Sequence, residues 1–253
     1  MHLILLIIIA SAALFGTPTF AQSKITNWQI SCGVDKGTLT KKGKTHTFLP
    51  SSNHCGTYNA ASWFWKQRTE LDSHRQKLKT TVKGTYVFET TVALTSNSSR
   101  AFDVFQMHDG RQHCAPPLKV EWSSKNQIKL TGEYKMKGGG NDDCIPTTLN
   151  HKNYQRGQVL SRNGAPHRLQ IALTFDGTGG YAVDVFVDGK PAVSGNYDPD
   201  YSPSSGTTID GRRVKLSGFE RSKHFFFKHG VYAAKAFDFR MTSTDMRMAR
   251  TKR

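Results

Sequence analysis

The chain has 253 residues, of which 37% are hydrophobic, 21% charged and 11% aromatic. That composition excludes wholesale disorder, and the length allows a core that does not depend on disulfides alone. Lys and Arg number 35 against 19 Asp and Glu, a formal charge of +16 spread along the chain, so a folded basic surface facing a polyanion is expected.

Leu3 to Phe15 is a nearly unbroken apolar run, followed by Gly16, Pro18 and Thr19-Phe20-Ala21. About a dozen apolar residues is short for a membrane span and fits the core of a signal peptide. Only His2, and no Lys or Arg, precedes the run. Residues 1–21 are therefore read as a signal peptide cleaved before Gln22, with an uncleaved anchor as the alternative. Residues 22–253 are read as a single domain, secreted or periplasmic, with no membrane association after cleavage. Export gives Cys32, Cys55, Cys114 and Cys144 a meaning as disulfide partners. Four cysteines allow three pairings. The simplest joins sequence neighbours, Cys32 with Cys55 and Cys114 with Cys144, each contributing roughly 3 kcal/mol on the chain-entropy model. With no C-x-x-C pair and no His-x-His cluster, no metal site is expected. Asn97-Ser98-Ser99 is a glycosylation sequon in a eukaryotic secretory pathway.

The apolar period along the rest of the chain is two. Strands are predicted, in order, at Tyr86–Leu94, Ala101–His108, Leu118–Trp122, Gln127–Tyr134, Arg168–Phe175, Tyr181–Asp188, His224–Ala233 and Ala236–Met241. Asp188-Gly189 between two apolar runs is a hairpin signal, and Asp176-Gly177 with Gly179-Gly180 marks another turn. Met136 to Gly164 and Gly195 to Gly211 read as long loops. Many strands, Gly-rich turns and no βαβ alternation imply an all-β fold, an antiparallel sandwich or jelly roll of the concanavalin-like kind with a concave groove.

Three segments carry polar residues on one face. In an extended strand Arg68, Glu70, Asp72 and His74 point the same way. So do Gln106 and His108, with Phe105 and Met107 opposite, and so do Lys228 and Tyr232. Gly230 between the last two would leave room for a ligand lying across the sheet. Taken singly, each is an ordinary solvent face. Together they supply donors and titratable groups suited to binding and deprotonating an acidic substrate.

Arg68-Thr69-Glu70-Leu71, Gln106-Met107-His108 and Phe226-Phe227-Lys228-His229-Gly230-Val231-Tyr232 resemble the three signature blocks of jelly-roll alginate lyases, polysaccharide lyase family 7. Those blocks read R-[ST]-E-L-R, Q-[IV]-H and Y-F-K-A-G-x-Y-x-Q. Jelly-roll lyases of glucuronan and heparin-like chains are similar in plan. The chain departs from the pattern at Asp72, where the first block has a second Arg, at His229, where the third has Ala, and at Ala234, where it ends in Gln.

The resemblance implies β-elimination of a polyuronate, giving unsaturated oligosaccharides. Arg68, Gln106 and His108 would face the substrate carboxylate. Either His108 or Tyr232 would take the proton at C5, and Tyr232 would protonate the leaving oxygen. Lys228, Glu70, His74 and Arg75 would bind substrate. The implied partner is an anionic polysaccharide, with no nucleic acid, and a monomer is expected. No cofactor is expected; Asp142-Asp143 and Asp198-x-Asp200 are the places a structural calcium ion would sit. Two other readings compete. One is a non-catalytic sugar-binding module. The other is a glycoside hydrolase, for which Glu70 and Asp72 form the only close carboxylate pair on a candidate face.

Overall fold

The computed structural model describes residues 20–51, 67–111, 114–137, 144–147, 149–200, 208–209, 212–213 and 218–251. The expected leader up to Thr19, Cys55 and the Asp142-Asp143 pair lie outside them. Among the described residues there is no helix. Accordingly, no helix is long and apolar enough to cross a membrane.

The strands begin with β1 (Phe20–Ile25), β2 (Gln29–Ile30), β3 (Leu39–Lys42), β4 (Thr45–Phe48), β5 (Gln67–Asp72) and β6 (Leu78–Lys79). They continue as β7 (Lys83–Thr95), β8 (Phe102–His108), β9 (Leu118–Trp122), β10 (Ile128–Lys135), β11 (Cys144–Thr147) and β12 (Lys152–Asn153). Then follow β13 (Asn163–Asp176), β14 (Tyr181–Val187), β15 (Lys190–Tyr197), β16 (Thr208–Ile209), β17 (Arg212–Arg213), β18 (His224–Ala233) and β19 (Arg240–Thr251). One sheet runs β12-β15-β14-β13-β7-β19-β4-β3, with β1 also on β19. The other runs β11-β10-β9-β8-β18-β5-β2, with β6 also on β18. The pairings are antiparallel, and the two sheets stack as the expected jelly-roll sandwich.

Alternation drives the stacking. In β7 every second side chain from Gly84 to Leu94 is buried, and β13, β14 and β18 repeat the pattern. Phe88 of β7 meets Phe105 of β8 at 4.9 Å between ring centres, and Phe175 of β13 meets Phe225 of β18 at 5.1 Å. Each such ring removed from water contributes about 1.5–3 kcal/mol. The Asp188-Gly189 turn has positive φ at both residues, 51° and 77°, the primed-turn geometry that its sequence demands.

Three strand expectations change. β19 begins at Arg240 rather than Ala236 and extends to Thr251. The first polar segment ends at Asp72, because Ser73 turns the chain by accepting and donating hydrogen bonds with the Phe227 backbone. The two long loops also hold short strands, β11 and β12 in the first and β16 and β17 in the second. Cys114 and Cys144 are joined, with Cα atoms 5.6 Å apart, tying β11 to the segment before β9. Cys32 is disulfide-bonded, and its expected partner lies outside the described residues.

Candidate active site

β5, β18 and β8 are neighbours in the second sheet, so the three polar segments come together on its outer face. The registers set rows across it. Arg68 lies opposite Tyr232, which lies opposite Asp103, which lies opposite Glu121. Four residues along β5 and β18, Asp72 lies opposite Lys228, then Gln106, then Lys119. Beyond these, Phe226 lies opposite His108. Among the described residues the grouping expected from sequence is thus real for Arg68, Gln106, His108, Lys228 and Tyr232.

The groups are linked by an ion pair and hydrogen bonds. Arg68 Nε is 3.2 Å from Glu70 Oε2, and Gln106 Nε2 donates to Glu70 Oε1 at 3.0 Å. With one amide hydrogen given to Glu70, Gln106 presents Oε1 to His108 Nε2, 2.9 Å away. A carbonyl oxygen only accepts, so the partner chemistry assigns the imidazole proton to Nε2 and the lone pair to Nδ1. His108 stacks on Phe226 with ring centres 5.0 Å apart. The Arg68 guanidinium sits over the Tyr232 ring at 5.2 Å.

Depth separates two tiers. Arg68, Glu70, Gln106 and Lys228 are buried, whereas His108, Phe226 and Tyr232 are partly exposed. Glu70 is among the deepest of them, only 1% exposed. Its carboxylate faces Arg68 and Gln106 and orients them. Burial raises its pKa from the usual value, more than Lys228 and Arg68 lower it. His74 lies in the exposed turn after β5, not on the strand, and its Nδ1 pairs with Asp72. Arg75 is exposed in the same turn and enters no ion pair among the described residues. Gly230 has φ of 150°, and a Cβ there would come within 2.2 Å of the Thr69 carbonyl oxygen. Close approach of two backbones, rather than room for a ligand, therefore requires glycine.

The field in the row sets protonation. Burial, reinforced by Lys228 and Arg68, holds His108 well below its ordinary value, so the imidazole is neutral. Burial pushes Tyr232 up to about 12, and the adjacent Arg68 only partly offsets it. The nearby guanidinium favours loss of the phenol proton, but desolvation of the phenolate outweighs it. Burial, with Arg68 beside it, brings Lys228 down to about 8 against the pull of Glu70 and Asp72.

Asp103 was not anticipated. Plain alternation from Gln106 and His108 puts it on the core face with Phe105. A bulge between Asp103 and Phe105 against β9 swings it to the outer face instead. There it is 5% exposed, 3.4 Å from Lys119 Nζ, and raised by burial to about 7. A bulge has no reliable one-residue signature, so the sequence carried only an unexplained Asp in an apolar strand.

The remaining ligand expectations are tested by geometry. Asp198 accepts from the Asp200 backbone, and Asp200 pairs with Arg221. Cys114, Glu133 and Cys144 place possible donor atoms together, but the two sulfurs are bonded to each other.

No protein-family model matches the chain, and no curated protein matches it. Solved structures do. Alginate lyase A1-II′, described as a member of polysaccharide lyase family-7, is 14% identical with a TM-score of 0.53, covering 90% of this chain and 96% of that one. The family-7 alginate lyase AlgAT5 is 13% identical with a TM-score of 0.50 over 90% of this chain and 96% of that one. An endo-β-1,4-glucuronan lyase from the fungus Trichoderma reesei is 11% identical with a TM-score of 0.49, over 94% and 92%. At these identities the likeness is one of fold, and it is the fold that the three residue blocks led us to expect.

Proposed function

We propose that this protein is a polysaccharide lyase that cleaves a uronic-acid-containing chain by β-elimination. The observation that carries the reading is the series Arg68–Glu70–Gln106–His108, an ion pair followed by two hydrogen bonds, with Tyr232 beside Arg68, on one face of three adjacent strands. The shared architecture with alginate lyases supports it.

The chemistry needs two things at once. Removing the hydrogen at C5 of a uronate turns the neighbouring carboxylate into an enolate, so its growing charge must be met. Arg68 and Gln106, both oriented by Glu70, supply a guanidinium and an amide for that carboxylate. The hydrogen itself needs an unprotonated base. His108 is kept neutral by burial and the flanking cations, and its Nδ1 lone pair is the group that accepts the C5 proton. As the C5–H electrons form the C4–C5 double bond, the C4–O4 bond breaks. Tyr232, holding its proton firmly, donates it to the leaving oxygen. Solvent carries the proton from His108 back to Tyr232. Lys228 contributes charge to substrate binding, and protein cations alone neutralise the substrate in this scheme.

We place the protein outside the cytoplasm, as a single domain released from its leader. The +16 charge suits it to an anionic polymer and makes encounter dependent on salt.

The test is ultraviolet absorbance of the unsaturated uronate, followed on alginate, glucuronan, heparin-type and hyaluronan-type chains. A lyase produces that absorbance, whereas a hydrolase or a binding module does not. Tyr232→Phe should cut turnover by roughly 10²–10⁴-fold while leaving binding and the fold in place. Normal turnover by that variant would refute the assignment of Tyr232.

A further inference from the structure

Around Tyr232 the outer face is asymmetric in charge. On the β5 side stands Arg68. On the β8–β9 side stand two carboxylic acids, Asp103 and Glu121, directly opposite each other in register. Lys119 reaches only Asp103, at 3.4 Å. Glu121 is partly exposed and in no ion pair among the described residues, although Lys129 lies opposite it on β10. In a protein with 16 excess positive charges, this is a locally acidic floor next to the proposed reacting group.

We infer that Asp103 and Glu121 are specificity-determining residues. The sugar next to the reacting uronate, lying over β8 and β9, carries no carboxylate, and the substrate is a chain alternating a uronate with a neutral or amino sugar. This rests on the lyase reading and narrows it. A polymer crossing the strands passes from the Arg68 and Gln106 region, which suits a carboxylate, to the Asp103 and Glu121 region, which repels one. Hydroxyl or amine donors of a non-acidic sugar would satisfy the two carboxyls that a uronate leaves facing like charge. The groups facing Asp103 are Lys119 and Glu121 from β9, Tyr232 from β18, and Glu70 and Arg68 from β5. Its charge grows through neutrality, so discrimination strengthens as the pH rises past about 7.

The experiment compares oligosaccharides of equal length at one ionic strength: a glucuronan homopolymer and an unsulfated chain alternating glucuronate with N-acetylhexosamine. Both product absorbance and calorimetric affinity are read. The alternating chain should be favoured by about tenfold or more, the scale of one screened like-charge contact in a partly exposed groove. Glu121→Gln and the isosteric Asp103→Asn should each narrow that ratio, chiefly by improving the homopolymer, and the Asp103→Asn effect should be larger at pH 8 than at pH 6. A homopolymer preference, or a ratio that neither variant moves, overturns the inference. If none of the four polymers named above yields unsaturated product, the lyase reading fails, and the ratio of binding affinities for these two chains still decides this proposal. Glu121 is partly exposed, so its variant keeps the test open should Asp103→Asn fold poorly.

Discussion

Glu70 Oε2 lies 3.2 Å from Arg68 Nε with both side chains out of water, and the other oxygen of the same carboxylate accepts from Gln106. One buried acid thus aims two of the groups proposed to meet the substrate carboxylate. Glu70→Gln keeps the shape and one acceptor but loses the charge that orients Arg68. Turnover should fall roughly ten- to hundredfold, the usual cost of losing an orienting partner, and kcat should fall more than KM rises. Steady-state kinetics on any cleaved chain checks this; an unchanged kcat would remove Glu70 from the machinery.

Lys228 sets an alkaline limit. Its pKa is about 8, so its charge is present below that pH and lost above it. KM for an anionic chain should rise as the pH passes about 8, with kcat less affected. Lys228→Arg keeps its charge at every accessible pH and should move that rise upward. Profiles of KM against pH at constant salt, for both proteins, make the comparison.

Gly230→Ala should destabilise the fold by about 1–3 kcal/mol. The methyl group would meet the Thr69 carbonyl oxygen, which belongs to the paired strand and has nowhere to go. Thermal melting is the measurement, and an unchanged midpoint would contradict the close approach.

His229→Ala should cost roughly 2–5 kcal/mol, the range for emptying a large buried site. His229 is wholly buried against Phe48 and Phe88, with Nδ1 donating to the Val104 carbonyl and Nε2 accepting from Ser243. Burial lowers its pKa from 6.5 to about 3. The folded protein therefore binds fewer protons than the unfolded chain between those values, and stability is lost as the pH falls from about 6.5 towards 3. In the variant that portion of the acid sensitivity should disappear. Denaturant melts at a series of pH values would show it.

Much of this was legible before any coordinates. Strands such as Leu118–Trp122 and His224–Ala233 fall where alternation places them, because one buried face per strand enforces a period of two. The common face of Arg68, Gln106, His108 and Tyr232 was legible because Gln106 and His108 lie past the irregular stretch of β8, and β5 pairs with β18 without a break from Asp72 to Gln67. The failures lie where regularity breaks. Asp103 changes face through a bulge. β19 hides its period behind a register shift between Thr244 and Arg247 and turns Ser243, a polar residue, inward to meet His229. His74 was placed on the strand because its end is set by a hydrogen bond that Ser73 Oγ accepts from the Phe227 backbone, not by an apolar signal. The burial of Glu70 was not legible because alternation gives the side of a sheet but not the depth at which a carboxylate lies.

The His229–Ser243 bond also bears on how the chain finds its alignment. Phe225, Phe227 and Val231 are interchangeable to a greasy interior, so sliding β18 by two positions would still bury apolar groups. An imidazole bound at both nitrogens tolerates no such slide, since it would strand Ser243 and the Val104 carbonyl. A polar pin on the hidden side of β18 thus sets where Lys228 and Tyr232 emerge on the other.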